Sequence, residues 1–217
     1  MLETIQVETS PSPDAAIIWL HGLGADGNDF AGIVDELSLP PSLGIRFVFP
    51  HAPIQPVTIN GGMPTRAWYD IREMDLSANF DRRGAQTSAD LVQELVEQQY
   101  AQGISPQRLL LAGFSQGGLI ALHLGFRLQS SPAGILALST YDPTLEELPA
   151  SLPPIPVFQG HGTWDPVVPL DLALKAKEQM LQRGLTPEFH TYPMPHSVCP
   201  EEIADLSFWL SRCLEKA

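Results

Sequence analysis

Apolar positions fall along this chain in two rhythms. Short runs at 15–20, 45–49, 108–112, 134–138, 156–159 and 188–192 have the length of strands, and several are apolar on successive residues. Continuous apolarity suits strands buried on both faces, as in a parallel sheet covered by helices. Between them the spacing changes. Over 87–102, Leu91 and Leu95, then Val92, Val96 and Tyr100, recur every four residues, and Gly103 is placed to stop the helix. Segments 116–128, 170–183 and 201–214 read the same way, the last with Ile203, Leu206, Leu210 and Leu214 along one side.

Alternating strands and helices predict an α/β fold: a mostly parallel central sheet flanked by helices on both faces. No repeat, low-complexity tract or linker divides the 217 residues, so a single domain over 1–217 is expected. Residues 50–84 break the regularity with several prolines and glycines, and a long irregular segment in a compact domain is a candidate for the substrate site.

Charge narrows the partners. A formal net charge of −13 without any run of Lys or Arg predicts repulsion from nucleic acid and from anionic lipid. No apolar run approaches the roughly 20 residues of a membrane span, and residues 1–10 lack the basic and apolar regions of a signal peptide. Two cysteines, Cys199 and Cys213, make no disulfide framework. A cytoplasmic protein with free thiols is expected.

The chemistry centres on LLLAGFSQGG at 109–118, where an apolar strand runs into Gly113-Phe114-Ser115-Gln116-Gly117 and then a helix. This is the Gly-x-Ser-x-Gly nucleophile elbow in the strand–turn–helix setting that its geometry demands. A serine hydroxyl needs a base and a group to orient that base. His196 follows the strand at 188–192 in PMPHS, and Asp165 follows the strand at 156–159 in QGHGTWDPVVP. One helix and one strand separate them, so a right-handed crossover places both at the same end of neighbouring strands. The order Ser, Asp, His is that of α/β-hydrolases. Asp142 and Asp171 are rival acids, Asp142 following the strand one position earlier. His123 and His190 fall inside a helix and a strand, where structural roles are expected.

Acyl transfer also needs two donors for the developing oxyanion. The amide after the nucleophile, Gln116, is one; the glycine-rich run WLHGLGADG at 19–27 offers the amide of Leu23 as the other. That run lacks the lysine and full spacing of a phosphate loop, and His21, His51 and His161 lack paired metal-ligand spacing, so no metal is expected.

The segments HGLGADGNDF, PHAPIQPVTINGG with RAWYDI, LAGFSQGG, LSTY, HGTWDPVVP and MPHSV together resemble the bacterial carboxylesterase and acyl-protein thioesterase group, the phospholipase/carboxylesterase family. The likeness runs from about Ile17 to the final helix. It implies an α/β-hydrolase without a separate lid domain or any cofactor. Its expected substrates are short- to medium-chain carboxylic esters, lysophospholipids or thioester-linked acyl groups on proteins. It places the triad on Ser115, Asp165 and His196 and the oxyanion donors on Leu23 and Gln116. It also implies that residues 52–74 border an acyl groove lined by Trp68 and Ile59, and Trp164 beside Asp165 is bulky enough to narrow it. Where many members carry a small polar residue before the WYD-like triplet, Arg66 and Ala67 stand here, which bears on acyl-chain preference. Apolar surface on 50–84 would favour a homodimer.

Overall fold

The computed structural model describes residues 1–74, 76 and 78–215. Its main sheet has seven strands among the described residues: β1 (Thr4–Glu8), β2 (Ala15–Leu20), β3 (Ile45–Pro50), β6 (Leu109–Phe114), β7 (Gly134–Leu138), β8 (Val157–Gly162) and β9 (Glu188–Tyr192). They lie in the order β1-β3-β2-β6-β7-β8-β9. Only β1 runs antiparallel, against β3; every other neighbouring pair is parallel.

The continuous apolar runs are explained by two cores. Successive strand residues point to opposite faces, so Ala16, Ile18 and Leu20 of β2 enter one core while Ala15, Ile17 and Trp19 enter the other. Helices α2 (Arg82–Ala101), α3 (Gln116–Gly125) and α4 (Leu170–Leu181) contribute to the first core. The short α1 (Ile33–Glu36) and α5 (Pro200–Leu214) contribute to the second.

Three elements depart from the sequence expectation. β1 is an extra edge strand, with only Ile5 and Val7 packing on the core. Helix α2 starts five residues before the predicted boundary, because Asp81 caps it by accepting from the Gly84 amide at 3.2 Å. The irregular segment contains a two-stranded hairpin, β4 (Ile54–Val57) with β5 (Met63–Arg66), whose Ile54 and Met63 side chains are exposed. Asp75 and Ser77 of that segment lie outside the described residues.

The parallel strands β2, β6, β8 and β9 end their carboxyl termini at one edge, where open α/β sheets bind ligands. The segments after them carry Leu23, Ser115, Asp165 and His196.

Candidate active site

Strand β6 ends at Phe114, α3 begins at Gln116, and Ser115 alone makes the turn, with φ 55° and ψ −120°. A non-glycine residue at positive φ costs about 1–3 kcal/mol and persists only where its surroundings enforce it. Here they do. The Ser115 amide donates to the Leu138 carbonyl at 2.9 Å, and the Thr140 hydroxyl donates to the Ser115 carbonyl at 2.7 Å, both partners coming from the end of neighbouring β7. The motif glycines are required by contact: a Cβ on Gly113 would stand 2.3 Å from the Gly117 backbone, and one on Gly117 would stand 2.3 Å from the Leu20 carbonyl oxygen.

His196 meets Asp165 as the crossover argument predicts. Its Nδ1 lies 2.7 Å from Asp165 Oδ2, and the Asp165 side chain is fully buried. A carboxylate accepts, so Nδ1 carries the proton and Nε2 keeps its lone pair. The other carboxylate oxygen, Oδ1, accepts from the amides of Val167 and Val168, each at 2.8 Å. The imidazole packs against Phe114, the residue before Ser115, with ring centroids 4.7 Å apart and the planes tilted by 46°. The two loops are sewn together by backbone: Thr163 donates to the Tyr192 carbonyl at 2.8 Å and Trp164 to that of Met194 at 3.2 Å. Gly162 makes this possible, because a Cβ there would sit 2.4 Å from the carbonyl oxygens of Met194 and Pro195. Sequence reasoning passed over Gly162, since its neighbour lies 32 residues further along the chain.

The rival acids are engaged elsewhere. Asp142 is buried, and its Oδ1 accepts from both the amide and the hydroxyl of Thr144. Thr144 in turn meets His123 and Arg127 of the α3 side. Burial pushes the Asp142 carboxyl up to about 6 and the His123 imidazole down to about 4. Asp171 is exposed in the first turn of α4.

The loop after β2 approaches Ser115 closely: a Cβ on Gly22 would lie 3.5 Å from the Ser115 Cβ. Gly24 takes φ 79° and donates to the Arg66 carbonyl at 2.9 Å. Buried His21 accepts from the Ala52 amide through Nε2 at 3.0 Å and therefore donates through Nδ1 to the Gly22 carbonyl at 2.7 Å. Burial lowers its pKa, which keeps this tautomer neutral. The Leu23 amide makes no hydrogen bond among the described residues. The Gln116 amide, first in α3, has no partner within the helix. The Gln116 side chain does separate work: Oε1 accepts from the Trp68 amide at 3.0 Å and Nε2 donates to the Tyr69 carbonyl at 2.9 Å.

Trp68 is tied into the same network through its side chain. Its side chain is fully buried and its indole N–H donates to the His21 carbonyl at 2.8 Å, so it braces the Leu23 loop from the protein side. It also reaches the wall of a cleft of about 310 Å³ between the hairpin and α2, with Pro53, Thr87 and Leu91. Ile59 is half-buried and its amide donates to the Ile71 carbonyl. Trp164 is exposed beside Asp165. His51 accepts from the Gly27 amide and His161 bonds the Val168 carbonyl, so each histidine considered as a metal ligand has a backbone partner.

The chain matches the family model described as Phospholipase/Carboxylesterase over residues 3–214. It is 38% identical to an acyl-protein thioesterase 1 of Mycosarcoma maydis, the alignment covering 97% of this chain and 95% of that one. With a protein of the same name from Saccharomyces cerevisiae it shares 36% identity over 91% and 92% of the two chains. Among solved structures it superposes on Zea mays acyl-protein thioesterase 2 with a TM-score of 0.81 at 27% identity, covering 99% and 100%. It superposes on Arabidopsis thaliana SOBER1 with 0.86 at 27% identity, covering 93% and 99%. These relatives are fungal and plant, so the likeness extends well past the bacterial branch. Nucleophile elbow, sheet order and matched length agree, and the chain belongs to the phospholipase/carboxylesterase family of α/β-hydrolases.

Proposed function

We propose that this enzyme hydrolyses carboxylic esters and thioesters through an acyl-enzyme on Ser115, with His196 as the base and Asp165 as its orienting acid. The observation that carries this reading is the 2.7 Å His196–Asp165 contact, made by an imidazole that packs against the residue preceding the strained serine. Ser115 Oγ bonds to the substrate carbonyl carbon as its proton passes to His196 Nε2. The oxygen that becomes negative is received by the amides of Leu23 and Gln116. The carbon–oxygen or carbon–sulfur bond then breaks, and His196 returns the proton to the leaving alcohol or thiol. Water attacks the acyl-serine with His196 again as base, releasing the acid. Side chains, two amides and water account for every step, so the reading needs no metal or organic cofactor.

The names of the relatives support acylated substrates, with thioesters on proteins, lysophospholipids and short- to medium-chain acyl esters as the classes to compare. The exposed Ile54 and Met63 support self-association as a homodimer, and the two free thiols support a reducing, cytoplasmic setting. A fluorophosphonate probe tests the central assignment: the wild type is expected to be labelled on Ser115 and a folded Ser115→Ala protein to stay unlabelled. Equal labelling of the two would contradict it.

A further inference from the structure

Four residues before Asp165, at the end of β8, the structure buries a second imidazole. The His161 side chain is fully enclosed; its Nε2 lies 2.8 Å from the Val168 carbonyl oxygen and 3.5 Å from Asp165 Oδ2. A carbonyl only accepts, so Nε2 carries the proton. Nδ1, the remaining ring nitrogen, is buried with no hydrogen-bond partner among the described residues. An unpaired buried acceptor is unfavourable, and an apolar residue would fill the same space without it. That the chain keeps a histidine here needs a reason beyond packing.

From this geometry we infer that His161 is a positioning residue for Asp165, acting on both of its carboxylate oxygens. Along one route its N–H holds the Val168 carbonyl, which closes the turn over 165–168 whose Val167 and Val168 amides grip Oδ1. Along the other its protonated Nε2 lies 3.5 Å from Oδ2, the oxygen that His196 also contacts. Asp165 is thereby held so that Oδ2 faces His196, and part of its negative charge is met by a neutral donor. His161 stays neutral for a reason visible in the structure. A second proton would have to sit on the unpartnered Nδ1, and burial lowers the group's pKa, with His196 adding in the same direction and Asp165 opposing. The titratable groups that face it are Asp165 and His196. Glu202 lies against Gly160, one residue earlier and so on the opposite face of β8.

The inference rests on the Ser115 mechanism proposed above, and substitutions at His161 separate the two. Glutamine places its side-chain amide nitrogen near where Nε2 lies, asparagine near where Nδ1 lies, and leucine has no donor. The measurement is kcat/KM for a chromogenic short-chain ester between pH 5 and 7.5, with thermal melts to establish folding and Ser115→Ala as the inactive control. His161→Leu is expected to lose about 10- to 100-fold, the usual effect of removing a partner behind a ligating or orienting group. With Asp165 less neutralised, protonated His196 is favoured, so the acid limb of the profile should move upward by about half a pH unit. His161→Gln should recover most of the activity and the wild-type limb, and His161→Asn should not. A folded His161→Leu enzyme with wild-type kcat/KM, or one that loses activity with an unmoved acid limb, overturns the inference. Should His161→Leu fail to fold, equal activity of the Gln and Asn variants overturns it in the same way. Wild-type activity that survives in Ser115→Ala would instead defeat the underlying mechanism.

Discussion

Glu202 is a carboxyl group that the fold buries without compensation. It sits in the first turn of α5, three residues after Cys199 begins the helix, with no residual exposure and with both oxygens lacking hydrogen-bond partners among the described residues. Its Oε1 occupies the space that a side chain on Gly160 would need. Desolvation, with a smaller contribution from Asp205, pushes its pKa from 4.5 up to about 8. Between these values the folded protein keeps a proton that the unfolded chain has released. Stability therefore falls as pH rises through this window, by about 1.4 kcal/mol per pH unit. At pH 7 the accumulated loss is about 3 kcal/mol. Glu202→Gln keeps the shape and removes the titration. Relative to its behaviour at pH 4.5, the variant should gain about 3 kcal/mol over the wild type at pH 7, or about 10 °C in Tm for a chain of this size. Urea unfolding at pH 4.5, 6, 7 and 8 reads this as a difference between two curves, so other titrating groups cancel. A wild type and variant that keep a constant difference across that range would refute the reasoning, since it would mean that Glu202 is as easily ionised in the fold as in the open chain.

Three further predictions concern the surroundings of Ser115. His123, held near 4 by burial and the neighbouring Arg127 charge, binds fewer protons folded than unfolded between about 6.5 and 4. Stability should therefore be lost as pH falls through that window, and His123→Gln should flatten the loss in urea titrations at pH 7 and 4.5. Gly117→Ala should destabilise the fold by about 3 kcal/mol or more and abolish esterase activity, because the new Cβ meets the Leu20 backbone at 2.3 Å; a melt and a rate assay check both. Thr140→Val removes the hydroxyl that holds the Ser115 carbonyl and should cost about 1–2 kcal/mol in stability with a fall of about tenfold in kcat/KM, read by denaturation and initial rates.

The elbow was legible in the sequence because everything it needs is local: an apolar strand, two glycines and an apolar helix within 109–125. His196 stood out from its place after β9, and the fold sets it against Asp165. Asp165 and Asp142 could not be separated by residues alone, since both are acids after adjacent strands; only the fold shows Thr144 occupying one and His196 meeting the other. Strand β1 went unread because it is a half-exposed edge strand of five residues. The hairpin went unread because its Pro56 and Pro64, paired across the two strands, are residues that ordinarily argue against a ladder. What the sequence hid most completely was support from a distance. Gly162 against Met194, Trp68 under His21, Gln116 on Trp68 and Tyr69, and His161 behind Asp165 all depend on packing or on which ring nitrogen is buried. Trp68 is an example: its place in the irregular segment gave no sign that its indole is buried and braces His21 as well as reaching the cleft wall.

The account stands on covalent catalysis by Ser115, and trapping that intermediate tests it most directly. Acid-quenching the enzyme within milliseconds of mixing with a p-nitrophenyl ester, followed by peptide mass spectrometry, should find one acyl group on the peptide containing Ser115, together with a burst of p-nitrophenol of matching size. Steady hydrolysis by an enzyme that never carries an acyl group on Ser115, and that continues in a folded Ser115→Ala protein, would contradict it.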